Sequence, residues 1–534
     1  MKIFQSSKRK DQKQSLVIYL LIFALLTLPL IYPHELCAEE SEVEASGALQ
    51  GGRVIVGITQ EPDFFDPHLA VAAGTKEILF NIFQGLTAMT PEGEYQPCLA
   101  ESWEVEDEGK TYRFKLREDV YFHNGEKMSA EDVLYSLERA AGLGENEALM
   151  PELAMIKAVE ISEDETEVVI ELKESTPDLP AFLTVAIIPQ AYEEQNEHPI
   201  GTGPFRFKEY IPQVSVELER FEEYWQEDLP YLDEVSFRIY GDMDAAYLEL
   251  LAGEIDIFPY LTEEKLQGLE DKYEVVAGGI NMIQVLALNN EAEPLFDPLV
   301  REAINLAIDR EQVREMIMGE YGQEIVSAMA PSMGKFYNEE LAKDALSADQ
   351  EAAKAKLAEA GLKDGFTLKI SVPANYLIHV DTANLLAAQL AEVGITAVID
   401  PVDWGTWLEK IYTEREYEAT VIALTYDFYT PVDVMNRFMT DSPDNFINYV
   451  DMEYDLLALK AEKELNESNR INLYHRMQEI LWEDKVSIFL QEPFNITVVR
   501  KPLAGYRQYP AYVQDMASVY YTDQAELDAS AFEY

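Results

Sequence analysis

Paired carboxylates can perform acid–base or nucleophilic work, and two of them about 5 Å apart flank the scissile bond in a retaining glycosidase. This chain carries 99 Asp and Glu among 534 residues, so close pairs are unavoidable and no spacing singles one out. Phosphate chemistry would need a glycine-rich loop ending Gly-Lys-Thr. Gly109-Lys110-Thr111 has that ending, but Glu104 occupies the place of the first glycine, and the surrounding EDEGKTY reads as a charged turn. Metal chemistry would need clustered His and Cys. The six His (34, 68, 123, 198, 379 and 475) are scattered, and the two Cys are Cys37 and Cys98. The sequence contains no HExxH, no GxSxG, no GxGxxG after a strand and no EF-hand loop. A secreted hydrolase built on an unmarked carboxylate pair stays open as an alternative. No cofactor and no metal are expected.

The acids are balanced by only 41 Lys and Arg, for a formal charge of −58. Affinity for phosphate backbones needs clustered cations, so a general nucleic-acid binder is excluded, and adsorption to an anionic membrane surface is disfavoured. Apolar residues at 48% and aromatics at 11% are too many for a disordered acidic chain. The length suits about three domain-sized units, at roughly 100–200 residues each. Acids spread along every helix and loop read as a solvated surface; whether they also reflect a saline or alkaline habitat is left open.

Residues 1–38 read as a signal peptide or N-terminal anchor: a basic head with Lys2, Lys8, Arg9, Lys10 and Lys13, then an apolar run over 16–32. Three fates remain open: cleavage after Ala38, lipidation at Cys37, or retention as an anchor. Each places the globular part outside the cytoplasm. Residues 39–50 form an acidic tether. With Cys98 as the other cysteine, an intramolecular disulfide is not expected.

Beyond the tether, α and β signals alternate. The spacing predicts strands at 53–59, 235–240, 283–288, 367–372, 396–399, 419–424 and 487–490. A helix is expected from the Asp297-Pro298 cap to Gly319, and another after a Ser347/Gln350 capping box, ending at Gly361. Others end at Gly394 and run near 469–484. Helices and strands interleaved over 297–425 argue for an α/β domain with a partly parallel sheet.

A dozen short motifs then fall in one order. They include ITQEPDFFDP (58–67), NIFQGL (81–86), PCLAESW (97–103), TYRFKLR (111–117), VYFHNG (120–125), SAEDV (129–133), GTGPF (201–205), YLDEV (231–235), GEID (253–256) and REAINLAIDR (301–310). Together they make the chain resemble, from about 53 to 507, the peptide/nickel class of extracellular solute-binding proteins, solute-binding family 5. Members are ligand-capturing subunits of ABC importers. The resemblance implies an α/β, two-lobed periplasmic-binding-protein-like fold with an extra inserted subdomain. Lobe 1 would hold 51–290 with the insert at 89–199, lobe 2 would hold 291–487, and 488–534 would return to lobe 1. Chain crossings near 289–296 and 485–491 would act as hinges.

The same resemblance carries site residues. In ALTYDFYTP (423–431), Asp427 matches an Asp that meets a peptide's α-amine, with Tyr426 beside it. Leu424 and Thr430 depart from the family pattern there. Trp404 in DWGTWL matches an aromatic lining the cleft, its alternative being core packing. The loop 72–75, with Ala73 and Thr75, matches one that offers main-chain contacts to an extended peptide. His123 reads as a turn residue, and GTGP as a turn whose glycines take a φ other residues resist. The loop VPANYLIHV (372–380) lacks the Arg that dipeptide-specific members place there, which favours a longer peptide, a cationic ligand or a non-peptide. The expected function is non-catalytic capture of peptides for the permease of an ABC importer, by a monomer that closes on a hinge. A receptor for a sugar or nickel chelate is the alternative.

Overall fold

A computed structural model describes residues 47–144, 148–190, 192–345, 348–426 and 428–530. The chain separates into a segment Met1–Ala48, described only at its last two residues, and a unit Leu49–Tyr534. The expectations for Cys37 and Asp427 therefore lie outside the described residues. Among the described residues no helix is long and apolar enough to cross a membrane.

Twelve strands of the larger unit form one sheet: β1 (Arg53–Ile58), β2 (Phe205–Ile211), β3 (Ser215–Arg220), β4 (Glu234–Ile239), β5 (Ile257–Phe258), β6 (Tyr273–Gly279), β7 (Met282–Leu288), β8 (Gly322–Glu324), β9 (Phe366–Pro373), β10 (Ile395–Val402), β11 (Ala419–Thr425) and β12 (Ser487–Arg500). Most are runs of β-branched and large apolar residues, such as RVIVGI and ATVIALT, which suit a pleated surface buried on both faces. In β7 the alternation is explicit. Ile283, Val285 and Ala287 join one core with Trp407 and Met333, while Leu286 and Leu288 join another with Val300 and Leu368.

The last strand belongs to two neighbourhoods. Its first part, to Gln491, pairs antiparallel with β7, and 491–493 pair with β8. From Phe494 onward it pairs antiparallel with β6 and β5 instead. One half-sheet thus holds β1–β6 and the far end of β12; the other holds β7–β11 and its near end. The sequence expectation ended this strand at 490. The polar Gln-Glu-Pro-Phe-Asn stretch at 491–495 breaks the apolar run, yet the backbone stays extended through it.

Helix ends follow local chemistry. Asp297 caps Pro298–Ala307 by accepting the Leu299 N–H at 2.9 Å. The single helix expected to Gly319 is two, because the chain turns extended at Ile308 and Asp309 caps Arg310–Ile317. The cap of Gln350–Glu359 is Asp349, which accepts from the Ala352 N–H at 2.9 Å, and not Ser347, which lies outside the described residues.

A separate antiparallel four-stranded sheet forms between β1 and β2, in the order Ala100–Glu106, Thr111–Leu116, Glu167–Leu172, Ile156–Ile161. Gly109 lies in the turn joining its first two strands, as the charged-turn reading required. This sheet's segment meets the second half-sheet's helices and loops through Asp178, which pairs with Arg470 in a buried ion pair, through Glu174 with Lys463 at 2.6 Å, and through Phe182 on Phe428 at 4.8 Å between ring centres.

The GTGP turn is corrected in its cause. Neither Gly201 nor Gly203 has a positive φ. A Cβ on Gly201 would instead collide with the Ile82 carbonyl, and one on Gly203 with the Asn81 carbonyl. His123 clasps the turn, with Nδ1 accepting from the Gly201 N–H at 3.3 Å and Nε2 donating to the Gly203 carbonyl at 3.0 Å. Burial lowers its pKa to about 4, so it serves as neutral structure.

Candidate functional site

The pairing directions locate the site before any side chain is considered. In the first half-sheet β1 runs parallel to β4 and β5, and β12 opposes β5, so the carboxyl ends of the parallel strands point along β12 toward Phe494. In the second, β9 runs parallel to β10 and β11, and β12 reads the same way because both it and β11 oppose β7. Their carboxyl ends lie beside Gln491. Both carboxyl edges therefore converge on residues 491–494. In open α/β sheets, ligands bind outside the carboxyl ends of the strands.

Three aromatic residues stand just past those ends in the second half-sheet: Tyr376 after β9, Trp404 after β10 and Tyr426 after β11. Asp403 accepts the Thr406 N–H at 3.0 Å and starts the helical turn that carries Trp404. The Trp404 ring lies flat on Trp407, 5.1 Å away at 3°, and meets Tyr376 edge-on at 5.6 Å. Trp407 is buried and donates its Nε1–H to Thr420 Oγ1 at 3.0 Å. Trp404 stays 38% exposed. Trp407 is thus the core residue of the pair, and Trp404 rests on it with one part open. The Tyr426 carbonyl accepts from Asn281, and its ring lies 5.4 Å from the Arg437 guanidinium.

On the first half-sheet's edge, Ala73 opens the helix α1 (Ala73–Leu79), and buried Thr75 accepts the Asp63 N–H at 3.0 Å. Asp63 in turn accepts the N–H groups of Val71 and Ala72, both at 2.9 Å. Partial burial raises the Asp63 pKa, but the Thr75 hydroxyl and the backbone N–H groups outweigh it and hold the carboxyl at about 2. The loop 72–75 is thus organised by a carboxylate that the sequence reading passed over. After β5, Tyr260 donates its hydroxyl to Glu77, a carboxyl 2% exposed on α1. Burial raises Glu77 to about 7, against the pull of its Tyr260 and Gln514 hydrogen bonds.

At the convergence itself two polar groups interrupt an apolar interior. Buried Gln491 donates to Gln284 Oε1 at 2.7 Å, Thr382 donates to the same oxygen at 3.2 Å, and Gln284 donates to His379 Nδ1 at 2.9 Å. Burial lowers His379 to about 4, so its ring is a neutral acceptor, on the third residue of the helix that Tyr376 precedes. The next residue, Glu492, is 0% exposed and accepts from Ser332 and Gln323. Burial raises it to about 7 against those two bonds.

Comparison with known proteins decides the family. The model of bacterial extracellular solute-binding proteins, family 5 (middle region), matches residues 94–446. The chain belongs to solute-binding family 5. It is 27% identical over 498 residues to the oligopeptide-binding protein AppA of Bacillus subtilis, covering 86% of this chain and 90% of AppA. It is 26% identical over 488 residues to the glutathione-binding protein GsiB of Shigella flexneri, covering 86% and 93%. Among solved structures, the periplasmic binding protein DppA of Helicobacter pylori in complex with the peptide STSA matches with a TM-score of 0.68 at 25% identity, covering 89% of this chain and 99% of that one. The two-lobed periplasmic-binding-protein fold expected from the sequence is thereby established.

For this family 5 chain, the fold places Trp404 and Tyr426 on one carboxyl edge and Ala73 and Thr75 on the other; among the described residues no hydrogen bond or ring contact joins the two pairs. Sequence reasoning missed Tyr376, Tyr260, Glu77 and Glu492. Tyr376 lies in a loop inspected only for a missing Arg. The two acids are single carboxylates among 99, and only burial sets them apart.

Proposed function

We propose that this protein captures peptides outside the cytoplasm, without chemical turnover, and presents them to the permease of an ABC importer. The observation that carries the reading is the convergence of both carboxyl edges on 491–494, one edge bearing an exposed, rigidly backed aromatic face. A flat apolar wall accepts varied side chains, while backbone groups at strand ends serve an extended main chain. The names of AppA and of the DppA–STSA complex support a peptide ligand. Two lobes hinged where the chain passes between half-sheets, at 279–282 and at 491–494, would close on it; these boundaries follow strand pairing rather than the 290 and 487 expected from the resemblance. Asp427 adjoins Tyr426 and would meet the peptide's α-amine.

Native mass spectrometry of the protein purified from its own cells tests this. The expected result is a bound mass that fragments as a peptide. A bound sugar or metal chelate would overturn the peptide assignment. Cleaved products after incubation with a peptide mixture would instead favour a hydrolase.

A further inference from the structure

Tyr260 follows β5 and Pro259 with a φ of 62°, a left-handed conformation that crowds the Cβ of any residue but glycine. A bulky residue keeps such a conformation only where its surroundings over-determine it, and such positions concentrate at functional sites. Here two buried groups do so. The Tyr260 N–H donates to Asn495 Oδ1 at 3.0 Å, and the hydroxyl donates to Glu77. Both partners are held in their turn. Asn495 donates to Gln508 Oε1 at 3.3 Å, and Gln514, the second partner of Glu77, accepts from the Tyr506 hydroxyl at 2.9 Å.

The residue is held at its backbone N–H and at its hydroxyl, yet it remains 39% exposed. The turn itself does not need a side chain here. Strand pairing resumes at once, the Leu261 N–H donating to the Ile496 carbonyl at 2.9 Å, and glycine would make the same turn unstrained. What tyrosine adds is a ring held open at the carboxyl edge of the first half-sheet.

We propose that Tyr260 is a ligand-contacting wall of the cleft, supplied by the half-sheet that lacks Trp404, with Glu77 and Asn495 as its positioning residues. A rigid ring of this kind takes the flat or branched apolar side chain of a ligand, and on the reading proposed above that ligand is a peptide.

The experiment separates the ring's role in binding from a role in folding. Tyr260→Gly removes the ring and relieves the backbone at the same time. The expected result is a co-purified mass bound at least about tenfold more weakly, together with an unliganded melting temperature that falls no further than that of Glu77→Leu, since both variants break the buried Tyr260–Glu77 hydrogen bond and glycine also relieves the backbone. Glu77→Leu leaves the ring but frees it, and should weaken binding too. Glu77→Gln, which keeps an acceptor for the hydroxyl, should restore binding to within about threefold. Wild-type affinity in Tyr260→Gly overturns the proposal, and so does a loss of binding matched by a melting temperature below that of Glu77→Leu. If the bound mass is not a peptide, the peptide reading fails alone, and Tyr260 is still judged by whether Tyr260→Gly releases that mass.

Discussion

Replacing Glu492 by Gln should change how the protein's stability depends on pH. The carboxyl sits where β12 passes between the half-sheets, with Ser332 and Gln323 as neutral donors and Tyr337 and Tyr429 as the titratable groups facing it. Burial lifts it from an ordinary 4.5 to about 7. Between those values the folded protein keeps a proton that the unfolded chain has released, so stability falls as pH rises through this window and levels off above it. At about 1.4 kcal/mol per pH unit, the window is worth about 3 kcal/mol. Glutamine cannot ionise, and its amide can answer both Ser332 and Gln323 once Gln323 turns over. Urea midpoints of the wild type and Glu492→Gln at pH 4.5, 6, 7 and 8 measure the difference, in which every other titrating acid cancels. The variant should gain about 3 kcal/mol on the wild type between pH 4.5 and 8. Two profiles running parallel over that range would show that Glu492 titrates normally, and the reasoning from burial would be refuted.

Four further outcomes are expected. Arg470→Met should cost about 3–5 kcal/mol in denaturation midpoint by stranding buried Asp178, and Arg470→Met with Asp178→Leu should recover most of it. Trp407→Ala should destabilise by about 3–5 kcal/mol as a core truncation, whereas Trp404→Ala should leave the melting temperature nearly unchanged and weaken peptide binding about tenfold by calorimetry. Gly201→Ala should lower stability by more than about 2 kcal/mol in thermal melts, since the obstructing atom is the Ile82 backbone carbonyl. Asp427→Asn should weaken peptide binding at least about 30-fold, and N-acetylating the peptide should do the same to the wild type but little more to the variant.

Much of this architecture is legible in the sequence because it is written in local chemistry. The apolar run at 419–424 became β11, and Asp297-Pro298 became a helix start, each from neighbours within a turn or a strand. The failures share a cause, which is that the deciding contact is distant in sequence. β12 continues past 490 because 494–500 find β6, more than 200 residues earlier. Gly201 is glycine because Ile82 passes close by, and not for its own φ. The candidate site residues divide in the same way. Trp404 and Tyr426 could be named because they sit in motifs with a family precedent. Glu77, Tyr260 and Glu492 acquire meaning only when a helix, a turn and a crossing strand are brought together around them.

The single strand shared by both half-sheets also dictates when this protein can finish folding. β6 finds its partner, and β5 its second partner, only at 494–500, and Arg53 meets Ser530 at the far end of the unit. A chain emerging from its N-terminus therefore carries an incomplete first half-sheet until almost all of it has been made, and pairings of such sequence separation close slowly. For a protein whose family works outside the cytoplasm, that delay is an asset: the chain stays threadable while it crosses the membrane, and its β-sheet locks only after the last strand arrives.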